Sequence, residues 1–244
     1  MFHYSKKIKN LMTLMALAVG AVILSLAPEA YAAKLRLSDG VNPSIVVDDE
    51  SADDSASPLL GEITYVNLGY GGLSLTVNSG SSKPSIGSDL LPEMHMTLGF
   101  SGTGSLTLEF TDTDFLANPN FSGFLTSVGG SFGKNGGTYE FSTYLDDGNA
   151  EFGQGTLLAT TGPLVASGGS LPGLDIVSNL VSQNAPGDPY SLTLVATITS
   201  QGGAGSIDAD LVHTPEPGTF LMLGMGLIGI VGYRRNKMKS TQSV

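Results

Sequence analysis

Between positions 33 and 213 the chain alternates apolar and polar side chains in short runs, which is the pattern of half-buried β-strands. In the segment 105–110 the leucines and the phenylalanine occupy one face, and serine, threonine and glutamate occupy the other. The same reading predicts about eleven strands, at 34–38, 44–47, 63–68, 73–77, 94–100, 105–110, 121–132, 138–145, 156–160, 191–199 and 206–212.

Turn-forming residues separate these runs and set the expected fold class. Gly69-Tyr70-Gly71-Gly72 and Asp146-Asp147-Gly148-Asn149 are typical of turns, and a long loop is expected from Asn78 to Pro92. A short helix is predicted at 174–181, with Asp175 near its start. Many short strands without helices between them predict an all-β protein, an antiparallel, jelly-roll-like β-sandwich. A solenoid is the competing all-β fold, but the irregular strand spacing counts against it.

The N-terminus has the three parts of an export signal. Lys6, Lys7 and Lys9 form a positive region, residues 11–26 form an apolar run, and Ala30-Tyr31-Ala32 supplies a small-residue cleavage site. The sequence therefore predicts a signal peptide at 1–32, cut by signal peptidase between Ala32 and Ala33. A retained N-terminal membrane helix is the alternative, and the small-residue site favours cleavage.

The C-terminal region combines a short motif, an apolar run and a basic end. Pro215, Glu216 and Pro217 precede an apolar run at 218–233, and the basic residues Arg234, Arg235 and Lys237 follow it. Basic residues stay on the cytoplasmic side of a membrane and so hold the Pro-Glu-Pro at its outer face. The run would span about 24 Å as a helix, less than the ~30 Å hydrocarbon core. A single apolar helix that crosses the membrane transiently therefore fits better than a permanent tail anchor.

These elements, in this order, resemble the PEP-CTERM sorting signal of Gram-negative bacteria that make extracellular polysaccharide. The resemblance implies processing near the Pro-Glu-Pro by a membrane-embedded exosortase, followed by release or attachment at the cell surface. The segments 35–40, 45–49 and 61–65 are also similar to the front of uncharacterised β-rich domains found upstream of such signals, a resemblance that brings no known activity. The domains expected are a signal peptide at 1–32, a β-sandwich at 33–213 and a sorting segment at 214–244.

The charge of the chain limits its possible partners, and its cysteine content limits the interactions that can stabilise the fold. The chain carries a net charge of −11, and the segment 33–214 holds four basic residues against twenty acidic ones. Such a surface repels phosphate backbones, so nucleic acid is not expected as a partner. Because the chain has no cysteine, the exported domain must be stabilised by burial of apolar surface rather than by disulfide bonds.

An acidic loop is the candidate metal site. Asp48, Asp49, Asp53 and Asp54 lie between two predicted strands, and calcium prefers oxygen ligands of this kind. The spacing matches no EF-hand, since no glycine stands at the sixth position and no glutamate at the twelfth. The alternatives are a calcium site that uses some of these four carboxylates and an ordinary solvated loop. Further aspartates at 112, 114, 146 and 147 lie at other strand ends.

The sequence offers little for catalysis. His95, in a predicted strand, and His213, beside the sorting tail, are the two histidines outside the signal peptide. No H-E-x-x-H pattern and no cysteine nucleophile occurs, so no enzyme is expected. Five tyrosines could stack on sugars or simply pack, and the one at 70, among glycines, is expected to be the most exposed; the five are Tyr65, Tyr70, Tyr139, Tyr144 and Tyr190.

These observations together predict an exported, non-enzymatic protein of the cell surface or extracellular matrix. Its expected role is structural or adhesive, within a polysaccharide-rich envelope or biofilm. Its expected partners are signal peptidase, exosortase, the membrane as an intermediate, and extracellular polysaccharide. A calcium-dependent carbohydrate-binding module is the alternative function.

Overall fold

The protein folds as eleven antiparallel β-strands, seen in a computed structural model that describes residues 33–118, 121–179 and 187–215 together with 225 and 228. The strands, in chain order, are β1 (Lys34–Ser38), β2 (Ile45–Asp48), β3 (Glu62–Tyr70), β4 (Leu73–Ser81), β5 (Glu93–Phe115), β6 (Phe121–Phe132), β7 (Gly137–Asp146), β8 (Thr156–Thr160), β9 (Leu164–Ala166), β10 (Gly169–Asn179) and β11 (Tyr190–Pro215).

Two long strands, β5 and β11, pair with each other and run through both layers of the fold. Their register shifts between Gln201 and Ala204, where Gly102, Gly202 and Gly203 have φ values of 105°, 118° and 94°. Residues with a Cβ atom rarely adopt such angles, so glycine permits the bend here. The first half of β5 and the second half of β11 join β3, β4, β6 and β10 in sheet I. The other halves join β1, β2, β7, β8 and β9 in sheet II.

The inner faces of the two sheets pack against each other. A Cβ atom built on Gly80 of β4 would lie 2.3 Å from the ring of Phe110, which belongs to sheet II. The hydroxyls of Thr126 on β6 and Thr143 on β7 are buried and lie 3.2 Å apart. Apolar side chains from both sheets, such as Leu98 of sheet I, are fully buried between them. The antiparallel β-sandwich predicted from the strand pattern is therefore confirmed.

The predicted helix at 174–181 is wrong for the part that the structure describes. Residues 169–179 form β10, which pairs with β6 in a register that sets Leu174 opposite Val128. The β-branched Ile176 and Val177 favour a strand, and the free edge of β6 supplies the hydrogen-bond partners that a weak helical propensity cannot outweigh. Residues 180 and 181 lie outside the described residues.

Several strands are longer in the structure than the sequence pattern predicts. The runs predicted as separate strands at 94–100 and 105–110 belong to β5, and those at 191–199 and 206–212 belong to β11. Residues 78–81, expected in a loop, extend β4, and the three-residue strand β9 was not predicted. In β5 and β11 the glycine-containing stretch between the two predicted strands bends one continuous strand between the two sheets.

Most of the predicted export and sorting residues lie outside the described residues. This applies to the signal peptide up to Ala32, to Glu216 and Pro217, and to Arg234, Arg235 and Lys237. Ala33 is buried just before β1, and Pro215 is the last residue of β11. Met225 and Ile228, within the predicted apolar helix, are helical. Within the described residues no helix has the length and apolar character needed to cross a bilayer.

Candidate functional site

The outer face of sheet I carries a row of polar side chains on its two central strands. The antiparallel register places His95 opposite Asp210 and Thr97 opposite Asp208. Because side chains alternate along a strand, these four residues point away from the core, while Met94, their neighbour on β5, is buried. Strand alternation thus sets which residues face out, and the pairing of β5 with β11 brings them together.

Hydrogen bonds hold these four side chains in one network. The Nδ1 atom of His95 lies 2.7 Å from Oδ1 of Asp210, and its Nε2 atom lies 3.0 Å from the hydroxyl oxygen of Thr97. That hydroxyl donates to Oδ1 of Asp208 at 3.0 Å. Among the described residues no donor contacts the second carboxylate oxygen of either aspartate, so both remain available to a ligand.

The residues that flank this network are small. On β6, Ser127 pairs with Asp210 and Gly129 pairs with Asp208. Among the described residues, a Cβ atom built on Gly129 would contact nothing within 4 Å, so the described surface beside Asp208 is open. On β4, Ser81 and Ser79 lie opposite His95 and Thr97. We call the surface formed by His95, Thr97, Asp208 and Asp210 the Asp–His face. It is a shallow surface with hydrogen-bonding groups in fixed positions.

Asp210, His95 and Thr97 follow one another in the order of an acid, a base and a hydroxyl nucleophile. Acyl transfer also needs free backbone N–H donors close to the nucleophile. Thr97 instead lies mid-strand, paired on both sides with Ser79 and Asp208, so the ladders engage the backbone groups around it. The arrangement is suited to holding a ligand by hydrogen bonds.

The structure places two of the four carboxylates of the acidic loop at the surface and two in the interior. Asp48 ends β2 and its carboxylate lies 3.1 Å from the Lys34 ammonium group, while Asp53 is exposed. Asp49 and Asp54 are buried, with exposed fractions of 8% and 6%. In the described part of the chain, no group of three or more His, Cys, Asp or Glu side chains is placed to hold a metal ion.

Three of the other acidic positions each have their own hydrogen-bond partner. Asp112 is buried at the end of the core, accepts a hydrogen bond of 2.7 Å from the Ser82 hydroxyl, and has its pKa raised to about 6 by burial. Asp114 accepts a hydrogen bond from the Asn149 side chain at 2.8 Å, and the Asp147 carboxylate accepts one from the backbone N–H of Gly187. The alternation of side chains along β5 could have predicted that Asp112 is buried, because position 112 continues the inward-facing series at 106, 108 and 110.

The five candidate tyrosines, all within the described residues, form no exposed platform. Tyr70, expected to be the most exposed, is buried. Its hydroxyl donates a hydrogen bond of 3.0 Å to the carbonyl oxygen of Pro43. Tyr139 and Tyr190 are also buried in the core, and Tyr65 and Tyr144 are half-buried. A turn rich in glycine predicted exposure, but the side chain of Tyr70 folds back over the end of β1.

Known structures share a weak similarity with the chain. One is the TmCBM61 module in complex with β-1,4-galactotriose, at 9% identity over 56% of this chain and 87% of that one, with a TM-score of 0.30. A CBM6 module of LamC, a laminarinase from Zobellia galactanivorans, has 16% identity over 48% and 79%, with a TM-score of 0.27. The K1 adhesin domain of Lys-gingipain from Porphyromonas gingivalis has 16% identity over 67% and 88%, with a TM-score of 0.28. These similarities are too weak to transfer a ligand or an activity to this chain.

The sequence comparison concerns the C-terminal region. No curated protein matches the chain, but residues 213–236 match the family model for the PEP-CTERM protein-sorting motif. The match covers the Pro-Glu-Pro, the apolar run and the first basic residues, as the sequence pattern predicted. This is an all-β protein that carries a PEP-CTERM protein-sorting motif, a signal for export through membrane-associated sorting.

Proposed function

We propose that this protein is an exported, non-catalytic surface protein whose β-sandwich binds a neutral extracellular polysaccharide through the Asp–His face. The observation that supports the proposal is the hydrogen-bonded network of four outward-facing side chains, with one unused oxygen on each aspartate. The role is adhesive or structural, within a polysaccharide-rich envelope or biofilm. An exosortase that acts near the Pro-Glu-Pro delivers the domain to its place.

The chemistry of the face suits sugar hydroxyls. A carboxylate accepts strong hydrogen bonds from hydroxyl donors, and neighbouring hydroxyls on a sugar ring present such donors in pairs. Because the partners of His95 and Thr97 already fix their orientation, little side-chain freedom is lost on binding. The shallow surface beside Gly129 gives an extended chain room to lie across β6 and β11.

The negative charge of the domain favours neutral polysaccharides over acidic ones as ligands. Twenty acidic residues against four basic ones in 33–214 repel uronate-rich or sulfated chains, especially at low salt. The Asp–His face adds two carboxylates at the point of contact. We therefore expect neutral polysaccharides to bind better than acidic ones of similar length.

The face also lies close to the sorting motif along the chain. Asp210 and Pro215 both belong to β11, which places them about 17 Å apart along an extended strand. A polysaccharide bound at the face would thus lie near the point where the sorting machinery handles the protein. This proximity supports a role at the cell envelope.

Affinity electrophoresis of the full-length protein, in gels that contain neutral or uronate-rich polysaccharides, tests the proposal. The D210N variant removes one carboxylate of the face and should weaken binding to the neutral polymers about tenfold, the size of a lost hydrogen bond to a charged group. The control is T197V, because Thr197 is an exposed hydroxyl on the outer face of sheet II, and it should bind as the wild type does. Retardation lost equally in both variants, or absent with every polymer, would overturn the proposal.

A further inference from the structure

Within the part of the chain that the structure describes, the loop between β2 and β3 contains polar groups that are buried without a partner. The Oδ2 atom of Asp49 accepts a hydrogen bond of 2.8 Å from the backbone N–H of Gly61, but its Oδ1 atom is buried and has no hydrogen-bond partner among the described residues. The hydroxyl of Ser51, two residues along, is also buried without one. Buried polar oxygens of this kind are rare in folded proteins, because each loses its hydration without compensation.

Asp54 lies beside these groups and brings a second carboxylate. Its backbone N–H donates to the carbonyl oxygen of Ser51 at 3.1 Å, and its Oδ2 atom accepts from the N–H of Glu50 at 3.3 Å. Its Oδ1 atom accepts from the N–H groups of Ala56 and Thr64 at 2.8 and 2.9 Å. These contacts fix Asp54 next to the turn that carries Asp49 and Ser51.

The two carboxylates lack a positive partner. Among the described residues, the lysine nearest in the chain, Lys34, pairs with Asp48 and Glu151, and no ion pair reaches Asp49 or Asp54. The turn brings the two carboxylates close together, because the Asp54 carboxylate accepts a hydrogen bond from the N–H of Glu50, the residue next to Asp49. Buried charges in proteins are ordinarily paired or bound to a metal ion.

We propose that this loop binds one calcium ion, with Oδ1 of Asp49 and the hydroxyl of Ser51 as ligands and Asp54 as the second negative charge. Calcium accepts carboxylate, hydroxyl, carbonyl and water oxygens together, so two carboxylates suffice where the loop and solvent supply the rest. Asp48 and Asp53 take no part, because one pairs with Lys34 and the other faces solvent. The site is independent of the proposed polysaccharide binding.

Calcium fits the loop better than magnesium does. Magnesium requires a near-ideal octahedron and keeps most of its waters, whereas calcium tolerates irregular oxygen sets from a turn. The net charge of −11 also raises the local concentration of divalent cations. For a module outside the cytoplasm we expect a Kd of about 10⁻⁴–10⁻³ M.

Calcium titration of chelator-treated, full-length protein in a mild detergent tests this proposal. Isothermal titration calorimetry with CaCl2 should show one site, and CaCl2 at about ten times the Kd should raise Tm by about 3–6 °C. The D49N variant should weaken calcium binding about tenfold or more, and S51A about threefold, since each removes a ligand or its charge. The matched control is D53N, which removes an exposed carboxylate from the same loop and should change the affinity less than about twofold.

Three results would overturn the proposal. The first is the absence of any heat of calcium binding, which would indicate that an ordered water rather than a metal ion occupies the site. The second is a Tm rise no larger than MgCl2 produces at the same ionic strength. The third is equal weakening in D53N and S51A, which would point to the general charge of the loop. The S51A variant keeps both carboxylates, so it decides the question even where D49N fails to fold.

Discussion

Asp112 makes the stability of the sandwich depend on pH in a direction opposite to that of most carboxylates. It lies at the inner end of β5 with an exposed fraction of 1%, and burial raises its pKa from 3.8 to about 6. Lys83, the Ser82 hydroxyl and the N–H of Thr113 act in the other direction, but they do not offset the loss of hydration. Asp112 is therefore a charge that the folded state disfavours.

The sign and size of the effect follow from proton linkage. Between about pH 4 and pH 6 the folded protein keeps the Asp112 proton that the unfolded chain has released. Stability is therefore lost as the pH rises through this window, and the loss is complete above about pH 7. A pKa raised from 3.8 to about 6 corresponds to about 3 kcal/mol.

The D112N variant tests this reasoning, because asparagine has nearly the same shape and never ionises. We expect the stability of D112N relative to wild type to increase by about 2–3 kcal/mol between pH 4 and pH 7.5. Urea unfolding of the full-length protein in detergent, followed by far-UV circular dichroism, measures the difference at each pH. Any hydrogen bond that asparagine loses costs the same at every pH and cancels in the comparison.

The control for D112N is D114N, two residues along the same strand. Asp114 is exposed and accepts its hydrogen bonds from the Thr113 hydroxyl and the Asn149 side chain, so its substitution removes the same charge without touching the core. A free-energy difference between D112N and wild type that is constant from pH 4 to pH 7.5 would refute the reasoning. The same pH dependence in D114N would also refute it.

Two further predictions concern the packing of the sheets and the end of β11. The G80A variant should lose about 1–3 kcal/mol of unfolding free energy, measured in urea, because the added methyl group overlaps the ring of Phe110. The control G129A lies on the open face of β6 and should stay within about 0.5 kcal/mol of wild type. Equal losses in the two variants would contradict the sandwich packing. A four-residue Gly-Ser insertion after Thr214 should speed processing at the Pro-Glu-Pro, because Thr214 and Pro215 pair with β6 and must otherwise leave the sheet to enter a protease. Pulse–chase electrophoresis in an exosortase-bearing host measures the rate, with the same insertion after Gly162 as the control; unchanged processing would show that strand pairing imposes no restraint.

The sequence alone determined which side chains face inward and where the sorting motif lies. The alternation at 105–110 predicted one apolar face, and Leu106, Leu108 and Phe110 are buried as expected. This works because successive Cβ atoms in a strand point to opposite sides, so a local pattern specifies the two faces. The sorting motif was readable for a similar reason, since its parts are contiguous in the chain.

The tertiary structure alone decided which outward-facing residues meet. His95 and Asp210 are 115 positions apart, and they become neighbours because β5 pairs with β11 in one particular register. Likewise, Asp48 and Asp49 are adjacent in sequence, yet the first pairs with Lys34 at the surface and the second is buried. Strand order and register depend on the burial of both sheets together, and a local pattern of alternation contains no information on that long-range choice.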